Sequence, residues 1–91
     1  MTKAEERAIE LVNKLMPKSD KIEFKAKISN TGRSIEFFVW VNGEKFQCYE
    51  LADNGKINEL EMEKLFDAYA EFIRKSEEYK AGEVNKIYFV T

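Results

Sequence analysis

The sequence predicts an α+β domain in which two amphipathic helices cover one face of an antiparallel sheet. Three segments alternate apolar and polar residues with the period of a strand, and two others repeat apolar residues every three or four positions, as helices do. An Asn42-Gly43 pair joins two strand segments, and it tolerates the positive φ angles of a two-residue hairpin turn. We expect a two-layer sandwich with the order α-β-β-β-α-β, in which a three-stranded antiparallel meander and a C-terminal strand carry two helices on one face.

The composition is typical of one small globular domain spanning residues 1–91. Hydrophobic residues make up 44% of the chain, and the formal net charge is -2. A slightly negative net charge is not typical of proteins that bind nucleic acid or anionic membranes, so a nucleic-acid partner is disfavoured. No apolar run approaches the length of a membrane span, and the N-terminus lacks a signal-peptide pattern, so we expect a cytoplasmic protein with no membrane partner.

The first segment predicts a helix that ends before Pro17. Thr2 and Glu5 have the spacing of a capping box, which predicts the start of the helix. The residue before a proline is pushed out of the helical region, which predicts the end. Apolar residues recur at three and four positions and form a stripe: Ala8, Ile9, Val12, Leu15 and Met16.

Residues 21–29 alternate strictly and predict a half-buried strand. A turn over Asn30-Thr31-Gly32-Arg33 leads into the next strand. Placing Ile28 opposite Ile35 aligns the apolar faces, with Ala26 opposite Phe37 and Phe24 opposite Val39. On the other face this register pairs Lys27 with Glu36, Lys25 with Phe38 and Glu23 with Trp40.

The central ribbon, residues 34–50, forms a hairpin around Asn42-Gly43. Its predicted register has five pairs: Val41–Glu44, Trp40–Lys45, Val39–Phe46, Phe38–Gln47 and Phe37–Cys48. Because side chains alternate between faces, the core face is predicted to hold Ile35, Phe37, Val39, Val41, Phe46 and Cys48. The other face is predicted to hold Glu36, Phe38, Trp40, Lys45, Gln47 and Tyr49.

A second helix follows a turn at Asp53-Asn54-Gly55-Lys56. That turn resembles part of a calcium loop, but the later ligands are not at the required spacing, so we interpret it as a plain turn. Asn58 with Glu61 predicts the helix start, and the helix runs to about Tyr79, closed by Ala81-Gly82. Its apolar stripe is Met62, Leu65, Phe66, Tyr69, Phe72 and Ile73.

The last segment, Val84 to Val90, predicts a strand. Ile87 and Phe89 are expected inward and Tyr88 outward. Its position in the sheet is left open; a parallel position beside either edge of the meander would require a right-handed crossover.

Catalytic chemistry has little support in the residue types. The chain has no histidine and one cysteine, which excludes a Cys/His pair, and no glycine-rich phosphate loop is present. No spacing marks two carboxylates as an acid–base pair. We therefore predict a protein that is not an enzyme and has no cofactor and no metal site.

The first candidate binding surface is an aromatic patch on the open sheet face, formed by Phe38, Trp40 and Tyr49. These side chains are too large and too close together for scattered surface residues. The first helix or a second copy of the chain could cover them, so a homodimer is left open. They could also anchor a protein partner or, with Lys25, Lys27 and Lys45 nearby, stack single-stranded bases.

The second candidate is an acidic ridge on the long helix, formed by Glu59, Glu63, Asp67 and Glu71 at spacings of four. Like charges at this spacing destabilise a helix slightly. Lys75 and Arg74 can pair with Glu71, whereas Asp67 has no evident basic partner at three or four positions. A solvated helix face explains such a ridge; a docking site for a basic surface on another protein is the sharper hypothesis.

Several segments together resemble the YezG-like bacterial immunity proteins, which neutralise polymorphic or contact-dependent toxins. The resemblance rests on Leu15-Met16-Pro17, Ile22 to Ala26, Ile35 to Phe38, Tyr49-Glu50-Leu51 and the helix from Glu63 to Ile73. It implies a non-enzymatic inhibitor that binds a cognate protein toxin, many of which are nucleases with basic clefts. The corresponding mechanism is occlusion of a basic surface by the acidic ridge, with Trp40 or Tyr49 as an anchor.

Two alternatives belong to other classes. One is a small chaperone or adaptor that self-associates through its open sheet face. The other is a single-stranded nucleic-acid-binding domain that uses the same face.

Overall fold

The computed structural model describes residues 3–80 and 86–90, and its helices and antiparallel sheet confirm the predicted α+β class. The elements follow in the order α1 (Lys3–Leu15), β1 (Lys21–Ile28), β2 (Arg33–Val41), β3 (Glu44–Gln47), α2 (Cys48–Asp53), α3 (Glu59–Arg74), α4 (Glu77–Lys80) and β4 (Lys86–Val90). The short helices α2 and α4 are absent from the predicted order.

Helix α1 ends at Leu15, just before Pro17, as predicted. Its predicted cap, Thr2, lies outside the described residues. The buried face is rotated relative to the predicted stripe, because Leu11 is buried while Ile9 is only partly buried. The buried residues of α1 are Ala4, Ala8, Leu11 and Val12.

The β2–β3 hairpin has the predicted turn and register. Asn42 and Gly43 have φ angles of 52° and 81°, which is the pair of positive values that a tight two-residue loop needs. The four pairs from Val41–Glu44 to Phe38–Gln47 match the prediction. The fifth predicted pair, Phe37 with Cys48, does not form because β3 ends at Gln47 and the chain turns into α2.

The β1–β2 register is shifted by two residues from the predicted one. Ile28 pairs with Arg33 instead of Ile35, because the loop is shorter than expected. The Ser29 N–H donates to the Gly32 carbonyl at 3.0 Å, and the Gly32 N–H donates to Ser29 Oγ at 2.9 Å. These bonds form a tight turn around Asn30-Thr31, so β2 begins at Arg33, directly after the turn.

A shift of two preserves the face of every side chain, since strand periodicity is two. The partners on the core face become Ala26–Ile35 and Phe24–Phe37, replacing the predicted Ala26–Phe37 and Phe24–Val39. On the other face, the predicted pairs Lys27–Glu36, Lys25–Phe38 and Glu23–Trp40 are wrong. The observed pairs are Lys25–Glu36, Glu23–Phe38 and Lys21–Trp40.

The sheet has the order β3-β2-β1-β4, with β4 antiparallel to β1. Phe24 pairs with Phe89 and Ala26 with Ile87 in this register. A right-handed crossover was expected only for a last strand parallel to its neighbour. Because β4 runs antiparallel to β1, that expectation does not apply. The predicted side-chain directions of Ile87, Tyr88 and Phe89 stay predictions, because the described part of the structure does not include these side chains. The predicted helix end at Ala81-Gly82 lies outside the described residues.

The core lies between the odd-numbered side chains of β2 and the buried stripe of α3. Phe24 and Tyr69 meet edge to face with ring centroids 4.8 Å apart, and Phe37 meets Phe66 at 6.2 Å. The predicted stripe of α3 is buried except for Phe72, which is partly buried. No helix in the described ranges combines the length and apolarity needed to cross a bilayer.

Helix α3 begins as predicted but ends earlier. The Asn58 side chain accepts a hydrogen bond from the Glu61 N–H at 3.1 Å, which satisfies an otherwise unpaired donor of the first turn. The helix stops at Arg74 rather than about Tyr79. Ser76 Oγ accepts from the Tyr79 N–H at 3.1 Å, and this cap starts the separate helix α4.

Candidate functional site

The acidic ridge lies along α3 and meets β2 at Arg33. Arg33 Nη2 is 2.6 Å from Glu63 Oε2, and Arg33 Nε is 3.0 Å from Asp67 Oδ1. One guanidinium therefore bridges two carboxylates that stand one helical turn apart. The expectation that Asp67 lacks a basic partner holds only along the helix, because the partner comes from a strand far away in the sequence.

Arg33 is held by more than its two ion pairs. Its guanidinium carbon lies 5.3 Å from the centroid of the Phe66 ring, a distance that allows a cation–π contact. Partial burial acts to lower the pKa of Arg33, but the hydrogen bonds that Arg33 donates to Glu63 and Asp67 outweigh it and raise the pKa. Arg33 therefore stays charged and orients the middle of the ridge.

The C-terminal end of the ridge has a local partner. Lys75 Nζ is 3.3 Å from Glu71 Oε1, in agreement with the pairing that the spacing suggests. Arg74, the other suggested partner, contacts the β1–β2 loop instead. It donates to the carbonyls of Ser29 and Gly32, both at 2.9 Å, and so attaches the end of α3 to that loop.

Leu60 is an exposed apolar residue on the same side of α3. It is 72% exposed, and it precedes Glu63 by three positions and Asp67 by seven, which places it on the same helix face. Sequence reasoning did not select it. Its position outside the apolar stripe of Met62, Leu65 and Phe66 is the signal that would have identified it.

Tyr49 lies between the ridge and the border of the open sheet face, and it is not one of the strand residues of that face. It was predicted in a strand with Phe38 and Trp40, and that placement is wrong because the residue belongs to α2. A strand would direct Cys48 and Leu51 to opposite faces, whereas a helix places residues three apart on one side. Both are fully buried, so burial of this apolar pair favours the helix.

The exposed ring of Tyr49 faces the ridge. It is 44% exposed, and its centroid is 6.4 Å from that of Phe66. Burial raises the pKa of the Tyr49 hydroxyl, and the charges of Glu63 and Glu36 raise it further. The structure therefore brings Tyr49, Arg33 and Glu63 together, whereas the sequence assigned Tyr49 and the ridge to different surfaces.

The remaining members of the aromatic patch, Phe38 and Trp40, lie on the sheet face opposite α3. Both are half-buried, and lysines surround their rings. Lys45 Nζ lies 4.5 Å from the Phe38 centroid and 5.1 Å from that of Trp40. Lys25 lies 5.4 Å from the Phe38 centroid, and Lys21 lies 4.7 Å from that of Trp40. We call these five residues the lysine–aromatic face.

The one thiol among the described residues, that of Cys48, lies in the core. Cys48 is fully buried, and burial raises the pKa of its thiol, which keeps it protonated and unreactive. No group of three or more His, Cys, Asp or Glu side chains in the described residues could hold a metal ion. The described residues carry two surfaces that combine charged and aromatic side chains, namely the ridge with Tyr49 and the lysine–aromatic face.

Neither a protein-family model, a curated protein sequence nor a solved structure matches this chain.

Proposed function

We propose that this protein is a non-enzymatic inhibitor that binds a basic surface of a cognate bacterial toxin, as a cytoplasmic immunity protein does. The fold in this proposal has two layers, with the helices on one sheet face and the acidic ridge on the outside of α3. The YezG-like resemblance supplies the class of partner. The geometry of the ridge supplies the mode of binding.

The observation that carries this proposal is the combination of exposed apolar and acidic side chains on one side of α3. Leu60 is 72% exposed and shares a helix face with Glu63 and Asp67, and Tyr49 is 44% exposed beside Phe66. Protein interfaces concentrate binding energy in a few aromatic or apolar anchors surrounded by polar residues. A solvated helix face explains the carboxylates, but it does not explain two exposed anchors among them.

The proposed mechanism has an electrostatic step and an apolar step. The ridge steers a basic surface toward α3, since complementary charge raises the rate of encounter. Arg33 contacts one oxygen each of Glu63 and Asp67, which leaves the second oxygen of each to accept hydrogen bonds from a partner. Tyr49 and Leu60 then exclude water at the contact.

Trp40 has no part in this contact. It lies on the sheet face opposite α3, so Tyr49 is the aromatic anchor of the proposed surface. Of the two anchors that the sequence left open, Trp40 and Tyr49, the proposal therefore uses Tyr49.

The test is protection against toxicity. Any large gene that ends immediately upstream of the gene for this chain supplies the candidate toxin, which is expressed in a host with and without this chain. We expect growth to be restored by the wild-type chain and to be restored less by Leu60→Asp or Tyr49→Ala. Equal growth with and without the chain, or full protection by both variants, would contradict the proposal.

A second candidate function uses the lysine–aromatic face. Three lysines lie within 5.4 Å of the ring centroids of Phe38 and Trp40, and stacked bases with nearby phosphates match that arrangement. Self-association through this face is less favoured, because it would bring lysines of the two copies together. The single tryptophan reports binding directly: oligothymidylate should quench its fluorescence, and added salt should reverse the effect.

A further inference from the structure

Strand β2 has a free edge over half of its length. Along one side it pairs with β1 from Arg33 to Trp40, while on the other side β3 pairs only with Phe38 to Val41. Within the described residues, no strand pairs with positions 33–37 on that second side. The gap exists because the chain leaves the sheet after Gln47 and enters α2.

The backbone groups of Arg33 and Ile35 point toward this free edge. The Trp40 carbonyl accepts from the Asp20 N–H at 2.7 Å, on the β1 side. Val41 pairs with Glu44 on the opposite side, next to the two-residue turn, and the residues that flank such a turn form a hydrogen-bonded pair. Because successive residues of an antiparallel strand direct their N–H and C=O groups to alternate sides, the odd-numbered Arg33 and Ile35 share the direction of Val41. They present donors and acceptors that a further strand could pair with.

A groove on the open sheet face lies beside this edge and reaches Tyr49. It is lined by four consecutive residues of β2 (Arg33 to Glu36), by Tyr49 of α2 and, on its far side, by β1 from Lys25 to Lys27. The exposed Tyr49 ring therefore borders a concavity of about 560 Å³. It lies beside β2 backbone with which no strand of the described residues pairs.

The two faces of the sheet differ in charge at this edge. On the α3 side, Glu63 and Asp67 share the single guanidinium of Arg33, so these three side chains together carry one net negative charge. Lys25 and Lys27 lie one strand further away, on the opposite face of the sheet, and Lys25 already pairs with Glu23 at 3.3 Å. A chain added at the edge would thus meet carboxylates with the side chains that point toward α3.

We propose that the partner adds an extended segment to the free edge of β2, with lysine or arginine at the alternate positions that face Glu63 and Asp67. This inference rests on the proposed function and specifies how the basic partner is recognised. Main-chain hydrogen bonds to Arg33 and Ile35 supply affinity, as in other cases of strand addition, and the alternate side chains supply specificity. Tyr49 packs against the added strand from α2.

The test uses amide hydrogen exchange in the full chain with synthetic peptides as probes. The peptide KTKTKTKT carries its lysines on one side of an extended strand, KKKKTTTT has the same composition without alternation, and ETETETET reverses the charge. We expect KTKTKTKT to slow exchange at the amides of Arg33 and Ile35 by about fivefold, and the other two peptides to slow it much less. The Val39 amide, already covered by β3, is the internal reference.

The outcomes separate this inference from the proposed function. If KTKTKTKT and KKKKTTTT shift the carboxylate signals of Glu59 and Glu63 equally while the edge amides stay unprotected, the ridge binds a basic partner and strand addition is wrong. Equal protection by ETETETET would overturn the proposal that the added segment must be basic. Protection that grows with protein concentration, without peptide, identifies a second copy as the occupant and also overturns the proposal.

A pair of variants provides an independent measurement. Ile35→Pro removes the N–H on the free edge and leaves the β1 pairing intact, whereas Ile35→Ala removes similar apolar bulk and keeps the N–H. We expect KTKTKTKT to bind Ile35→Pro about tenfold more weakly than Ile35→Ala. Equal affinity for the two variants would overturn the role of this backbone group.

Discussion

Arg33 and Glu63 meet at 2.6 Å between Nη2 and Oε2, joining the first residue of β2 to the first half of α3. The same guanidinium reaches Asp67, which would otherwise repel Glu63 across one helical turn. The side chain of Arg33 is 24% exposed, whereas those of Glu63 and Asp67 are 40% and 73% exposed. Solvent therefore screens both pairs, and their main effect is to orient the two carboxylates.

Replacing Arg33 with alanine should lower the free energy of unfolding by about 1 kcal/mol, because exposed ion pairs are individually weak. The variant leaves two like charges adjacent and uncovers the Phe66 ring. A double-mutant cycle by urea denaturation should show coupling between Arg33→Ala and Glu63→Gln. The cycle with Glu71→Gln is the control, since Glu71 pairs with Lys75 instead; equal coupling in both cycles would contradict the bridge.

The neighbouring phenylalanines Phe37 and Phe38 should respond very differently to truncation. Phe37 is fully buried against Phe66, whereas Phe38 is half-buried among lysines on the other face. We expect Phe37→Ala to cost about 3–5 kcal/mol and Phe38→Ala about 1 kcal/mol, mostly from lost cation–π contacts. Chemical denaturation measures both, and similar losses would mean that the faces of β2 are assigned wrongly.

Gly43→Ala should destabilise the hairpin by about 1 kcal/mol through backbone conformation alone. Gly43 has a φ of 81°, and a Cβ there would meet no atom within 4 Å. Gly32→Ala is the matched control, since its Cβ would lie 3.7 Å from Ser29 Oγ, an ordinary contact. Thermal unfolding should show a clear loss for the first variant only.

Stability should fall as the pH rises above about 9 because of Cys48. Burial raises the pKa of its thiol above the ordinary value of 9.0, so the unfolded chain loses this proton before the folded chain does. The contribution is complete below about pH 9 and is lost as pH rises toward the folded pKa, with a slope of up to about 1.4 kcal/mol per pH unit. Tyr49, whose pKa is also raised, acts in the same direction at higher pH.

Cys48→Ala isolates this effect in urea denaturation at a series of pH values. The variant should be less stable at neutral pH because it loses core packing, but its stability should decline less between about pH 8.5 and 9.5. A decline as steep as that of the wild type would assign the effect to another group.

Charge reversal at Glu59 should slow association with a basic toxin about two- to tenfold at low salt, with a smaller effect at high salt. Glu59 is preferable to Glu63 and Asp67 because its replacement leaves the Arg33 bridge intact. Glu61→Lys is the control: it changes the same charge in the same helical turn on a different face. Association rates measured by stopped flow should differ between the two variants; identical rates would remove the ridge from the mechanism.

The site was only partly predictable because its contacts join distant parts of the chain. The carboxylates of the ridge follow from their spacing of four, which needs only the geometry of one helix. Arg33 was assigned to a turn, since nothing local distinguishes a polar residue that ends a loop from one that begins a strand. Tyr49 was assigned to a strand because alternation in β3 was continued two residues too far, past the point where burial of Cys48 and Leu51 favours a helix.

The sequence by itself determined the elements whose signals are local. Asn42-Gly43 specified the hairpin and its register through backbone conformation, Pro17 and Asn58 marked helix limits, and alternation specified which side of β2 is buried. Tertiary structure alone decided the β1–β2 register, the partner of Asp67 and the side on which Tyr49 lies. The reason is that a register shift of two leaves every side chain on its own face, so the apolar pattern cannot distinguish the two pairings. Only the hydrogen bonds between Ser29 and Gly32 and the distances across the folded chain select one of them.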